Sequence, residues 1–339
     1  MDIIKLGVIG LGLAWERLHY PALQKLTDKY EITAVCDKDI SKAESFGTSI
    51  GLSDEDIYDD FAAMLARDDI DAVDVMVPVY ENFEVHEAVI LAGKNLIAEK
   101  PFASTPKAAS LLSQLARKHH VTVLVAENFR YDEGNNIIKD IISSGEIGEV
   151  MYFIQNTAAD FEKDMTGNTF AAREWRQHPG FKGGIFTDGA IHDIARMRYL
   201  FGDFDSVLAG GRLQDEKYSP YISINALVKF KNNVFGNYSF YSHGSELTKP
   251  PVGFRVFATE GEIYYESTSK GVLEIYYRDG TNEQRSFEPN NGYYHELINF
   301  YNALTQGADI VSTPEKGLGD IQAVFDILRS IETNELIRQ

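Results

Sequence analysis

The first 127 residues constrain this chain most, because they repeat one alternation. Short runs rich in β-branched residues, Ile3 to Ile9, Glu31 to Cys36, Ala72 to Val77, Asn95 to Ala98 and Val121 to Ala126, are bounded by Gly, Asp or Pro and separated by amphipathic stretches. Strands alternating with helices of this length imply βαβ units around a parallel sheet, a doubly wound α/β fold. One of the helices is well signposted: Thr105 can cap it, Pro106 occupies its first position, and an Ala/Leu-rich stripe runs to about Lys118.

Beyond Asn128 the alternation stops. A helix from about Glu133 should end at Gly145, Val150 to Ala158 starts a strand, and a helix is expected from about Ile185 to Phe201. Between Ser206 and Phe287 strands follow one another, including Tyr221 to Phe230, Val234 to Tyr241, Gly253 to Thr259 and a hairpin around Asp279 and Gly280. Short turns between adjacent strands imply a large, mostly antiparallel sheet. Helices near Tyr293 to Leu304 and Gly317 to Thr333 complete a two-domain expectation: a dinucleotide-binding Rossmann domain over residues 1–127 and an α+β domain for substrate and oligomer contacts over 128–339.

Composition excludes several partners. The net charge of −19 is spread with no block of five or more like charges, which makes nucleic acid and anionic membrane poor partners. A single cysteine, Cys36, cannot form an internal bridge and excludes Cys-based zinc sites; it fits a reducing cytosol. The apolar run Leu6 to Trp15 lacks the basic flank and cleavage site of a signal peptide, and no window approaches the roughly 20 apolar residues of a spanning helix, so a cytoplasmic protein is expected.

The segment Gly10, Leu11, Gly12, Leu13, Ala14, Trp15 directly follows the first strand, where backbone amides opening a helix can hold a pyrophosphate. Asp37, 25 residues after Gly12, ends the second strand; a carboxylate there would accept from both ribose hydroxyls and repel a 2′-phosphate, favouring NAD. Lys38 beside it pulls the other way and leaves NADP open. Trp15 replaces the third glycine of GxGxxG, and since an indole cannot give the close helix–strand approach of glycine, it is expected to point into the cofactor cleft or its rim. Without further context, a buried strand followed by a tight turn would account for the same residues.

The stretch from Asp71, DAVDVMVPVYENFEVHEAVILAGKNLIAEKPFASTPKAA, resembles the Gfo/Idh/MocA oxidoreductase family: Pro78, the Ala92-Gly93-Lys94 helix end and Glu99-Lys100-Pro101 match, whereas Val79 and Asn82 stand where the family has Asn and His. His19, Pro21 and Leu23, AENFRY at Ala126 to Tyr131, GEIGEV at Gly145 to Val150 and GGIFTDGAIHDIARMRYLFG at Gly183 to Gly202 extend the resemblance, as do Thr313, Pro314, Glu315 and ILRSIET at Ile327 to Thr333. The resemblance implies an NAD(P)-dependent dehydrogenase acting on a CH–OH group of a sugar, polyol or related small molecule, with Pro78, Asn82, Glu99, Lys100 and Asn128 joining the cofactor site. Such proteins commonly associate through the second-domain sheet, which implies a homodimer or homotetramer.

Asp188 and His192, four apart on the expected helix, would share one face, and a carboxylate beside an imidazole orients it as a general base. Lys100 follows a parallel strand at its C-terminal end, where open α/β sheets bind ligands. The resemblance implies that the substrate carbinol is held by Lys100, His192 and the nicotinamide, with hydride passing to the cofactor while His192 takes the hydroxyl proton, Lys100 hydrogen-bonds the same oxygen and Asp188 assists. Arg130, Trp175 and Arg176 are candidates for holding substrate. Asp193 beside His192 does not make a metal site, because helix neighbours point about 100° apart and no third ligand is suitably spaced. The same fold also serves non-catalytic sugar or nucleotide sensors and NAD-dependent glycosidases, which remain the alternatives.

Overall fold

The computed structural model describes residues 3–167, 174–242 and 252–339. The chain divides into two units, one of residues Met1–Asn128 with Tyr293–Ile321, the other of Phe129–Gly292 with Gln322–Gln339.

The first unit is built on six parallel strands, β1 (Ile4–Ile9), β2 (Tyr30–Cys36), β3 (Ile57–Tyr58), β4 (Ala72–Val75), β5 (Asn95–Glu99) and β6 (Val123–Ala126), in the order β3-β2-β1-β4-β5-β6. This is the doubly wound order with its switch point between β1 and β4, and it bears out the expected Rossmann sheet. Strands β4 and β6 are buried at every position, as a sheet covered on both faces requires. The helix Pro106–His119 begins as its sequence demands: Thr105 Oγ1 accepts from the Ala108 amide at 3.2 Å, with Pro106 in the first position. Residues 293–321, contiguous in sequence with the second domain, group with the first unit. Tyr30 OH donates to Leu297 O (2.6 Å) and the Val125 amide to Ser312 O (2.9 Å), while Glu315 pairs with Ser113 and Arg117.

The second unit contains a nine-stranded sheet. Its strands are β7 (Val150–Ala158), β8 (Phe204–Leu213), β9 (Tyr221–Phe230), β10 (Phe235–Tyr241), β11 (Gly253–Ala258), β12 (Gly261–Tyr265), β13 (Val272–Tyr277), β14 (Asn282–Ser286) and β15 (Ile337–Arg338), in the order β14-β13-β12-β11-β7-β10-β9-β8-β15. All neighbours are antiparallel except β7 and β10, so the mostly antiparallel expectation holds. One face of the sheet is a dry aromatic core in which Phe153, Phe201, Phe230 and Phe254 meet ring to ring at 5.3–6.1 Å. The helix Glu133–Ser144 packs in this unit, capped by the Asp132 carboxylate and closed by Gly145 in the left-handed conformation.

The expected helix from Ile185 to Phe201 is two helices, Ile185–Asp188 and Ile191–Phe201. Gly189 follows the first as its C-cap, and the His192 amide reaches Gly189 O at 3.4 Å rather than continuing the ladder to Asp188. Glycine is a poor helix former, and the Ile185 amide is also tied to Tyr218 O at 2.8 Å, which anchors the short first helix separately. The regular i, i+4 relation assumed for Asp188 and His192 is therefore not the one the chain adopts.

Candidate functional site

In the first unit, the turn after β1 is shaped by its glycines. Gly10 has φ +92°, and a Cβ there would lie 2.4 Å from the Met76 carbonyl oxygen of the segment after β4, so only glycine fits. At Gly12 a Cβ would meet nothing within 4 Å, which leaves the turn open above the backbone. A helical segment runs from Leu13 to Leu23, with π-type hydrogen bonding over Trp15–His19. Leu13 and Ala14 lie in its first turn, where amides have no intrahelical acceptor.

Asp37 closes this turn from the end of β2. Its Oδ2 accepts from the Leu11 amide at 2.8 Å and its Oδ1 from the Asp39 amide at 2.9 Å, with Lys42 Nζ 3.9 Å away. The carboxylate placed by spacing alone thus has a second task, holding the tip of the glycine turn. Lys38 turns elsewhere: it pairs with Glu81 at 2.8 Å, and that hydrogen bond raises its pKa.

Trp15 departs from expectation. Its side chain is 1 % exposed and packs edge-on against Phe46 at 5.3 Å and against Tyr20 at 5.4 Å. The indole therefore lies in an aromatic cluster with the helix Ile40–Ser49 that follows β2, and not in a cleft or at its rim. The physical reason is available space: Phe46 and Tyr20 themselves pack at 4.9 Å and form an apolar slot that rewards burying the largest side chain in the segment. As a cofactor contact, Trp15 retains only its backbone.

The second motif gathers at the C-terminal end of β5. Glu99 is buried at the strand end and Lys100, half-buried, follows it. Pro78, half-buried, accepts from the Glu81 amide at 2.8 Å in the turn that opens the helix Asn82–Leu91. Asn82, wholly buried, donates through Nδ2 to Pro101 O at 2.8 Å, and His86 one turn later makes a 3.1 Å contact with Phe102 O. Burial pushes the His86 pKa down to about 4, so the ring is neutral and Nδ1 donates to that carbonyl. Both side chains thus act on the loop that carries Lys100. Asn128 is buried at the start of the turn Asn128–Arg130.

A buried charged group beside this motif was not anticipated. His19 Nδ1 lies 2.9 Å from Asp74 Oδ2, with Glu99 Oε1 at 3.9 Å and Glu296 Oε1 at 4.0 Å from Nε2. Burial opposes a charge on His19, but Asp74, Glu296 and Glu99 together outweigh it and raise the pKa to about 9. Burial likewise drives Glu296 well above the ordinary carboxyl range, helped by Glu99, Glu127 and Asp74 and opposed by His19. The partners lie 55 to 277 positions apart in the chain, so no local motif could have joined them.

In the second unit, Asp188 is buried and pairs with Arg176, whose Nε lies 3.0 Å from Oδ2; Arg176 also lays its guanidinium over the Trp175 ring at 4.6 Å. Three candidate residues are therefore one cluster. His192 is half-buried and stacks on Phe129 at 4.8 Å, and Arg130 is buried beside Phe129 in sequence. Asp193 accepts from Thr157 and Tyr238 and serves the interior of its unit.

A glycine turn open at Gly12 after β1, with a strand-end carboxylate at Asp37 on a doubly wound parallel sheet, is the arrangement of a dinucleotide-binding Rossmann domain, and comparison with known proteins gives the same class. The family described as "Oxidoreductase family, NAD-binding Rossmann fold" matches residues 4–127, and its "C-terminal alpha/beta domain" matches 139–337. The chain belongs to the Gfo/Idh/MocA oxidoreductase family. It is 27% identical over 346 residues to an uncharacterized protein of Saccharomyces cerevisiae, covering 98% of this chain and 97% of that one. It is 26% identical over 284 residues to the D-apiose dehydrogenase of Paraburkholderia graminis, covering 83% and 72%. Among solved structures, an oxidoreductase of Thermotoga maritima superposes with a TM-score of 0.85 at 26% identity, covering 99% of this chain and 98% of that one. Among the described residues, no helix is long and apolar enough to cross a membrane.

Proposed function

We propose that the protein is an NAD-dependent dehydrogenase that oxidises a CH–OH group of a sugar or polyol. The observation that carries this reading is the cradle formed by Gly10, Gly12 and Asp37: it is open where a pyrophosphate would approach, and the one bulky residue of the segment, Trp15, is turned away from it. The residues present fit the cofactor. Amides of the first helical turn would hold its phosphates and Asp37 would accept from its adenosine ribose; when bound, the nicotinamide would supply the acceptor for the hydrogen and electron pair leaving the substrate carbon.

The chain's own residues supply the rest. His192 accepts the hydroxyl proton. Lys100, at the end of β5 where doubly wound sheets bind ligands, donates a hydrogen bond to the reacting oxygen. Asp188, neutralised by Arg176, presents together with Trp175 a polar and aromatic surface suited to a ring bearing hydroxyl groups. Arg130 and Asn128 complete the assignment as substrate and cofactor contacts respectively. Similarity to a D-apiose dehydrogenase supports the sugar class. A cytoplasmic setting and a homodimer or homotetramer belong to the same reading, the latter on the sheet face discussed below.

The test is a panel of aldoses and polyols, D-apiose among them, assayed with NAD and with NADP. Net NADH formation with at least one sugar is expected, with NAD bound more tightly than NADP and the ratio moved toward NADP by Asp37→Ser. Release of product without net NADH would point instead to a glycosidase. Equal or tighter NADP binding by calorimetry would remove the cofactor assignment.

A further inference from the structure

His192 rests on Phe129, a half-buried ring backed by a group of buried side chains that the chemistry above does not use. The Phe129 ring lies 4.8 Å from the imidazole, centroid to centroid, with 25° between the planes. One turn along the same helix, Arg196 brings its guanidinium 4.8 Å from the centre of that same phenyl ring. Arg196 is 4 % exposed, and a buried guanidinium is costly unless it is paired. Here Nη1 donates to Gln155 Oε1 at 3.1 Å, Nη2 lies 3.5 Å from Asp193 Oδ1, and the Tyr265 and Phe254 rings stand 5.3 and 5.7 Å away. Asp193 is fixed in its turn by Thr157 Oγ1 at 2.6 Å and Tyr238 OH at 3.2 Å. Gln155 and Thr157 belong to β7, Tyr238 to β10 and Tyr265 to β12, so the contacts run from the imidazole into the centre of the sheet.

We propose that Phe129 and Arg196 are positioning residues for His192: the phenyl ring, held by the buried Arg196, Asp193 and Gln155 group, sets the plane of the imidazole. Stacking removes freedom about χ2, the broad torsion of a histidine, that a solvated helix-surface ring would keep. A proton acceptor needs that restriction, because displacement by about 1 Å is enough to cost on the order of 10²-fold in rate. The catalytic consequence rests on the reading of His192 as the proton acceptor; the stack itself does not.

The experiment uses the full chain labelled with 13C at histidine Cε1, with the His192 signal identified as the one lost in His192→Asn. A ring stacked on a phenyl face resonates upfield. Phe129→Leu should move the signal downfield, Phe129→Tyr should leave it in place, and Arg196→Lys, which keeps the charge but loses the planar fork, should broaden or divide it. With the panel sugar that gives the fastest NADH formation, Phe129→Leu should lower kcat on the order of 10- to 100-fold with KM within a few fold, and Phe129→Tyr should restore it. A His192 signal indifferent to Phe129→Leu overturns the proposal, as does a loss of kcat that Phe129→Tyr shares. Should Phe129→Leu not fold, Phe129→Tyr and Arg196→Lys decide the question by the same signal. If no panel sugar yields NADH, the dehydrogenase reading fails while the NMR result still judges the stack.

Discussion

Lys100 and His192 were singled out by the family resemblance of two short motifs, Glu-Lys-Pro after a strand and Asp-x-x-x-His, and not by their residue types alone. Their assignment to proton transfer makes a sharp expectation: Lys100→Met and His192→Asn should each lower turnover by about 10²- to 10⁴-fold while NAD affinity changes by no more than a few fold. The proposed function has both serve one proton transfer, so the double variant should lose less than the product of the two effects. Stopped-flow turnover and NAD titration check this, and a double variant that still oxidises its sugar near the unaltered rate would remove both residues from the chemistry. Asp37 shows how a single residue can be located by spacing and yet be incompletely understood. Its distance from Gly12 is the sequence signal behind its proposed role as a ribose acceptor, but that its carboxylate also receives the Leu11 amide depends on β1 and β2 lying side by side. Phe129 was invisible for a similar reason: nothing near an aromatic in a loop announces that an imidazole 63 positions later will stack on it.

Two departures occurred at the scale of the element. The first is the helix after the glycine turn, where Trp15 packs against Phe46 of the next helix. A fully buried indole truncated to methyl leaves a large cavity, so Trp15→Ala should cost about 3–5 kcal/mol in urea unfolding of this unit. Trp15→Phe should cost much less and leave NAD affinity within a few fold; a tenfold loss of affinity in that stable variant would return Trp15 to the cofactor site. The second is the split at Gly189, where a stretch that reads as one amphipathic helix is divided by an anchor to Tyr218, a contact made 33 residues away in sequence. Strands, turns and caps were legible because their determinants are local: Thr105 and Asp132 cap the helices they precede. The His19 group shows what local determinants leave out, since it joins the first helical segment, β4, β5 and the helix Gly292–Gln306. Its pH consequence follows from sign. A histidine whose pKa rises from 6.5 to about 9 on folding stabilises fully below pH 6.5, and that contribution is lost as pH rises toward 9. Burial also raises the Glu296 pKa, which likewise makes folding less favourable as pH rises. The melting temperature should therefore fall between pH 6.5 and 9, at roughly 2–4 °C per kcal/mol lost, and His19→Gln should flatten the decline. A Tm that rises through this range in the unaltered protein, or falls as steeply in His19→Gln, would contradict the coupling.

For the whole molecule, the outer face of the second sheet carries several exposed apolar side chains among polar ones such as Lys229, Asn237 and Glu262. Strand registers place Leu208, Leu227, Phe235, Tyr241 and Tyr276 on the side opposite the aromatic core; Leu227 is 48 % and Phe235 50 % exposed. These side chains are the basis for the association proposed above. Light scattering should give a dimer or tetramer for the unaltered chain, and Leu227→Glu with Phe235→Glu should give a monomer; an unaltered protein that is monomeric at micromolar concentration would dismiss the assignment. Part of the architecture was settled by sequence: the parallel sheet of the first domain, the mostly antiparallel second sheet, the glycine turn and Asp37 follow from periodicity, turn chemistry and spacing over a few tens of residues, while the Lys100 motif was marked by its resemblance to the family and the strand order came from the structure. The tertiary structure alone decided where Trp15 buries its indole, that residues 293–321 join the first unit, that Arg176 neutralises Asp188, and that His19 is ringed by three carboxylates. Each of these depends on which distant surfaces close against one another, and burial energy and charge pairing act on that proximity, which no neighbouring residue in the chain encodes.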